Sequence, residues 1–208
     1  MTNLFSANVQ RSKKSVNIRK LAVTAMLGAL SAILMFFSFP IPFLIPSFIK
    51  LDFSEFPALA AAFVVSPLAG VAVCLLKNLV NLFFTTTAGV GELCNFLLGA
   101  SMVFSAGIIY KRRKTRASAL AACLIGSALM AAISLPVNYF ISYPAYSLVF
   151  PIEAIIGAYA AINSGVKTLW DALLWFNMPF TLIKGLLVSV LTFIIYKPLS
   201  SALKKYVF

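Results

Sequence analysis

The chain has 208 residues, of which 62% are hydrophobic and 11% charged, with a mean hydropathy of +0.99, whereas a soluble domain carries about 25% charge. This composition marks a membrane protein, and six spans of about 20 residues each leave no room for a separate soluble catalytic domain. There is no histidine, and the five carboxylates and three cysteines (Cys74, Cys94, Cys123) include no clustered ligand set. No metal site, no catalytic residue and no disulfide framework is expected.

Apolar runs and their breakers predict spans near 20–39, 55–65, 68–86, 90–110, 117–140 and 171–196. The expected organisation is an all-α, polytopic protein with a basic tail over 1–19, a six-helix transmembrane domain over 20–197 and a second basic tail over 198–208. The run from Leu21 to Phe39 is too long for a signal-peptide core and lacks a cleavage site before the Pro-rich loop, so it reads as a retained first helix.

Thirteen of the seventeen lysines and arginines fall at 11–20, 111–116 and 197–205, on one face of a six-span topology. The positive-inside rule makes that face cytoplasmic and the orientation N-in/C-in. All five acids (Asp52, Glu55, Glu92, Glu153, Asp171) fall in outer loops or at outer helix ends. The basic clusters are explained by orientation and anionic lipid, with no nucleic-acid partner required.

The second apolar segment, Ser54 to Val65, has 12 residues, a helix of about 18 Å against a hydrocarbon core of about 30 Å. The preceding loop, Pro40-Ile-Pro-Phe-Leu-Ile-Pro, must then dip into the protein with an extended backbone, tolerated at depth only where protein buries it or a watery cavity receives it. Asp52-Phe-Ser-Glu55 resembles a capping box, which explains both acids as well as ligand contact does.

The remaining spans carry polar stripes. Asn177, Thr181 and Lys184 share one helical face, as do Lys77, Asn81 and Thr85; Glu92, Asn95 and Gly99; and Ser127, Ala131, Ser134 and Asn138. Interhelical hydrogen bonds account for any single Asn or Ser. Lys77 and Lys184 are different, because only Glu92 is at hand inside the spans to balance two cations near the midplane. The stripes are expected to converge on one pocket open to the outside. Phe43, Phe48, Phe53, Tyr139, Tyr143, Tyr146, Phe150 and Tyr159 supply either walls for a flat heteroaromatic ligand or an interfacial belt. Ile152 to Ile162 reads as a short helix lying over the pocket as a lid. In the first span Ala22, Ala25, Gly28, Ala29 and Ala32 form a small-residue stripe suited to close helix packing, within the chain or against a partner.

Taken together, Lys50-Leu-Asp-Phe-Ser-Glu-Phe-Pro57, Lys77-Asn-Leu-Val-Asn81, Val90-Gly-Glu-Leu-Cys-Asn-Phe96, Asn138-Tyr-Phe140 and Pro179-Phe-Thr-Leu-Ile-Lys-Gly185 resemble the riboflavin-specific substrate-binding subunits (S components) of energy-coupling factor (ECF) vitamin importers. The resemblance runs from Lys20 to about Lys197. It implies an S-component fold in a bacterial plasma membrane, capture of riboflavin from outside, no enzymatic activity and no cofactor, riboflavin being the transported ligand. It also implies an energizing module of a transmembrane coupling protein and two cytoplasmic ATPases, docked through an alanine motif that Ala25 and Ala29 match. Asn138 and Lys184 match the family's ligand contacts, with the loop around Asp52 shaping the pocket and Thr181 standing where the family pattern places Asn. Thr181, Asn177, Asn95, Lys77 and Asn81 complete the expected substrate site.

Three other functions fit less well. An S component for another flavin or vitamin is the nearest alternative. A stand-alone secondary transporter would want paired intramembrane acids and inverted repeats. An intramembrane enzyme would want a nucleophile and base.

Overall fold

A computed structural model describes residues 2–47, 49–85, 87–148 and 151–207, with side chains from residue 18 to residue 195. Helix α1 (Thr2–Phe36) is followed by two short antiparallel strands, β1 (Phe39–Pro40) and β2 (Lys50–Leu51), which pair with each other. Then come α2 (Glu55–Val64), α3 (Pro67–Leu82), α4 (Val90–Arg112) and α5 (Arg116–Val137). A π-helical turn (Asn138–Ser142) leads into α6 (Tyr143–Tyr146), and α7 (Ile152–Ala160) and α8 (Leu169–Ala172) follow. A second π turn (Leu173–Asn177) opens into α9 (Met178–Val207).

Four stretches are long and apolar enough to cross a membrane: 18–36, 90–112, 116–146 and 169–195. The expected second and third spans fall short of that. Helices α2 and α3 have 10 and 16 residues and rise about 15 and about 24 Å. Ser66-Pro67 separates them, because Pro67 cannot donate to the preceding turn while Ser66 caps α3 by accepting from the Ala69 N–H at 3.1 Å. At the other end α3 stops at Leu82, and Ala88 and Gly89, whose φ angles are 51° and 87°, lead into α4.

Helix α2 is the axis of the fold. Helices α1, α3, α4, α5 and α9 pack in that order into a closed ring, and α1, α3, α4 and α9 each touch α2, all ten residues of which are buried. The alanines at 58, 60, 61 and 62 make this possible, since small side chains let helix backbones approach where lipid offers no hydrophobic drive to associate. Gly70 marks the tightest approach: a Cβ there would overlap Val103 Cγ1 and lie 2.7 Å from the Ala58 carbonyl oxygen. A second apolar cluster lies apart from this axis. It joins Ile45 and Leu51 of the first loop to Tyr143, Ile155, Tyr159, Val166, Leu173 and Phe180.

The loop between α1 and α2 does dip inward, with Ile45, Leu51 and Asp52 buried. It is not extended throughout, as its prolines suggest. Leu44 and Ile45 both donate backbone N–H bonds to the Ile41 carbonyl, and Ile49 donates to Pro46, so successive turns satisfy the backbone internally. The small-residue stripe of α1 is divided between two surfaces. Gly28 and Ala32 are buried, Gly28 against Leu76, whereas Ala22, Ala25 and Ala29 are exposed.

Because a side chain at position 70 has no space, Gly70→Val should lower stability by about 1–3 kcal/mol or more. Thermal unfolding in detergent would measure it, and an unchanged midpoint would contradict the packing around α2.

Candidate functional site

The floor of the site is a buried charge network. Asp52 lies at the inner end of the first loop and Glu55 begins α2. Lys77 projects from α3 and Lys184 from α9. The Lys77 ammonium donates to Glu55 Oε1 at 2.8 Å, and both side chains are fully buried. Lys184 donates to Asp52 Oδ2 at 2.8 Å and lies 3.4 Å from Glu55 Oε1. Ser54 completes the connection: its N–H and hydroxyl both donate to Asp52 Oδ1, its hydroxyl accepts from Lys77, and its carbonyl accepts from the Ser31 hydroxyl of α1. Two acids thus balance two lysines, and one loop is fastened to three helices.

This arrangement corrects two readings of the sequence. Asp52 and Glu55 do not form a capping box. Ser54 is the N-cap and makes no side-chain cap bond; Glu55 pairs with Lys77, and Asp52, which also accepts from Ser54, pairs with Lys184. Nor are the lysines short of partners, and Glu92 balances neither of them; the acids come from the short helix and the loop before it.

Above this floor lies a cavity of about 360 Å³. Asp52, Asn81, Asn95, Asn138, Asn177, Thr181 and Lys184 line it, which brings together seven of the eight expected binding residues. Lys77 is not among them, being fully buried and in contact with Ser54 and Glu55. The wall residues differ in what they leave open. Asn177 has both ends of its amide engaged, donating to the Tyr143 hydroxyl at 2.8 Å and accepting from Tyr159 at 2.7 Å, while the two tyrosine hydroxyls bond each other. Asn177 therefore fixes the wall. Asn138 Oδ1 accepts from the Ser142 hydroxyl at 2.9 Å, and Cys94 Sγ lies 3.0 Å from the same hydroxyl oxygen. Asn95 Oδ1 is buried with no protein donor, so a donor supplied from the cavity would relieve the cost of an unmade hydrogen bond.

The polar stripes do not all reach the cavity. Ser127 and Ser134 donate to the carbonyls of Cys123 and Ala131, and Ser127 meets Ser189 at 3.0 Å, so that part of α5 packs against α9. The Thr85 and Asn81 side chains both donate to Glu92, at 2.8 and 3.1 Å. Gly99 lies where a Cβ would touch Cys74 Sγ and Glu55 Oε1.

The aromatic walls are largely different residues from those expected. Tyr143 and Tyr146 line the cavity, joined by Phe36, Phe84 and Phe180, which the sequence reading missed. Phe36 and Phe84 meet edge to face at 5.1 Å. Phe43 is 83% exposed, Phe53 packs against the core around α2, and Tyr139 stacks on Trp170. Tyr159 stands behind Tyr143 rather than on the wall. Phe48 and Phe150 lie outside the described residues. Helix α7 is no lid: among the described residues none from 152 to 162 lines the cavity, and Ile155 and Tyr159 brace Tyr143 through the second apolar cluster.

A membrane bundle with a polar, aromatic-walled cavity has the features of a solute-binding transport subunit. The family of ECF transporter substrate-specific components matches residues 19–196. The Staphylococcus aureus (strain TCH60) protein named riboflavin transporter RibU is 35% identical over 199 residues, covering 95% of this chain and 96% of that protein. Riboflavin transporter FmnP of Bacillus subtilis (strain 168) is 32% identical over 189 residues, covering 88% and 94%. A solved S component of a bacterial ECF transporter aligns with a TM-score of 0.71 at 34% identity, over 90% of this chain and 99% of that one. The chain belongs to the substrate-specific components of ECF transporters.

Removing one partner of a buried ion pair leaves a charge without compensation, at a cost of about 3–5 kcal/mol. Lys77→Met should therefore destabilise strongly, whereas Glu55→Leu/Lys77→Met keeps the Asp52–Lys184 pair and should recover most of the loss. Unfolding of the three proteins in one detergent compares them directly.

Proposed function

We propose that this chain captures riboflavin at the outer membrane face as the specificity subunit of an ATP-driven ECF importer. The observation that carries the proposal is the cavity itself. Amide, hydroxyl and ammonium groups from Asn95, Asn138, Thr181 and Lys184 line the same cavity as the rings of Phe36, Phe84, Tyr146 and Phe180. Riboflavin matches both halves, with a uracil-like edge that needs donors and acceptors, a flat ring that needs apolar walls, and a polyol chain that needs polar partners. The relatives named riboflavin transporters support the same ligand.

In this reading Asn138, Asn95, Thr181 and Lys184 touch the ligand, Asn81 and Asp52 complete the polar wall, and Asn177 and Lys77 hold others in place. The fold then makes six crossings within residues 20–197, two of them by helices shorter than the bilayer and completed by the buried loop. The thirteen cations of the tails and the 111–116 loop make N-in/C-in the orientation in a bacterial plasma membrane, with 1–19 and 198–208 as cytoplasmic tails. Residues Ala25 and Ala29 lie on an exposed face of α1, where close approach by a helix of the coupling protein is sterically open. Two cytoplasmic ATPases would complete the energizing module, and the chain itself needs no cofactor.

The purified chain should show the yellow absorbance of bound flavin, and Asn138→Ala should weaken riboflavin binding at least about tenfold by calorimetry, the cost of leaving one polar group of the ligand unpaired. A colourless protein that takes up no riboflavin would overturn the assignment. With the module present, Ala25→Trp/Ala29→Trp should leave riboflavin affinity within about threefold and abolish ATP-driven uptake in liposomes, because bulk on that face blocks only helix docking.

A further inference from the structure

Glu92 is used by neither the charge network nor the proposed ligand contacts, yet it lies on the cavity wall with only 8% of its surface exposed. Its two carboxylate oxygens accept from Asn81 Nδ2 at 3.1 Å, Thr85 Oγ1 at 2.8 Å and Thr87 Oγ1 at 3.2 Å. All three donors are neutral, and among the described residues no cation forms an ion pair with it. The first turn of α4 further favours negative charge at this position. The cavity therefore holds a fixed carboxylate whose charge is solvated by dipoles but not cancelled.

The other charges on the wall do not offset it. Asp52 and Lys184 are paired with each other at 2.8 Å on the floor. Lys50 is exposed, so water and salt screen its ammonium far more than they screen a buried carboxylate. A neutral ligand meets no penalty from this arrangement. An anion entering the cavity would meet like charge in a low-dielectric wall, which costs discrimination energy without any clash of shape.

We propose that Glu92 is a specificity-determining residue that excludes anionic forms of the ligand, above all its phosphate monoester, which carries about −1.5 to −2 charge at pH 7. The proposal rests on the riboflavin reading above. It differs from a purely bracing role, in which Glu92 would only hold Thr85 and Thr87 in place. Bracing would affect all ligands alike, whereas exclusion by charge affects only the charged one.

The test titrates the purified full chain with riboflavin, with riboflavin 5′-phosphate and with a neutral 5′-ester of similar bulk. The wild type should bind the phosphate at least about tenfold more weakly than riboflavin, with the neutral ester close to riboflavin, as expected of electrostatic discrimination. Glu92→Gln should narrow that ratio at least about fivefold with riboflavin affinity within about threefold, and Glu92→Asp, which keeps the charge, should preserve it. Equal binding of phosphate and riboflavin by the wild type would overturn the proposal. So would an unchanged ratio in Glu92→Gln, parallel loss of both ligands, or rejection of the neutral ester as strong as that of the phosphate. Failure of the wild type to bind riboflavin would instead overturn the riboflavin assignment, and this inference with it.

Discussion

The structure depends on four charges placed where lipid gives them no alternative. Asp52, Glu55, Lys77 and Lys184 come from a loop, the start of a short helix and two flanking helices, and each is buried. Taking any one of them out of water is expensive, and only mutual pairing at 2.8 Å makes the set tolerable. That requirement fixes the geometry above it. The loop before α2 has to descend until Asp52 meets Lys184, and its descent brings Ile45 and Leu51 into the apolar cluster behind Tyr143. The cavity floor and the position of the first loop are consequences of the same electrostatic closure. Lys184 belongs to both, neutralised from below by Asp52 and facing the cavity from α9.

Much of this was legible in the sequence. Asn177, Thr181 and Lys184, spaced i, i+4 and i+7, all line the cavity, and the short second apolar run is preceded by a loop whose Ile45, Leu51 and Asp52 are buried. The pairing of charges was missed because a capping box is a local explanation and local explanations come first to the eye. A count across the chain carried the signal: two lysines inside apolar helices and two acids beside a helix too short to span. The wall phenylalanines were missed for a different reason. Phe36, Phe84 and Phe180 sit in apolar runs, where nothing local distinguishes a ring facing lipid from one facing a cavity. Conversely Tyr159 has the composition of a wall residue but is spent on Asn177 and Tyr143. Only tertiary contacts separate these cases.

Small residues serve two opposed purposes in the same bundle. Around α2 they are buried and let four helices close on it; at Ala25 and Ala29 they are exposed, so the bundle presents a smooth strip where it could have been rough. The division falls within one stripe of α1, with Gly28 turned toward Leu76 and its neighbours turned out. A helical wheel identifies such a stripe but not the line along which it divides, since that line depends on which helices stand beside it.

Both π turns, Asn138–Ser142 and Leu173–Asn177, end two residues before a proline, Pro144 and Pro179. A proline cannot donate to the carbonyl four residues back and collides with it; here those carbonyls belong to Phe140 and Trp175, inside the widened turns. Each turn accommodates one surplus residue, and one residue is worth about 100° of winding. The helical stretches 116–146 and 169–195 thus run on two phases apiece. A periodicity drawn along their whole length averages two patterns, and the loss of one residue from either turn would swing the neighbouring segment's polar face off the cavity while leaving its composition intact.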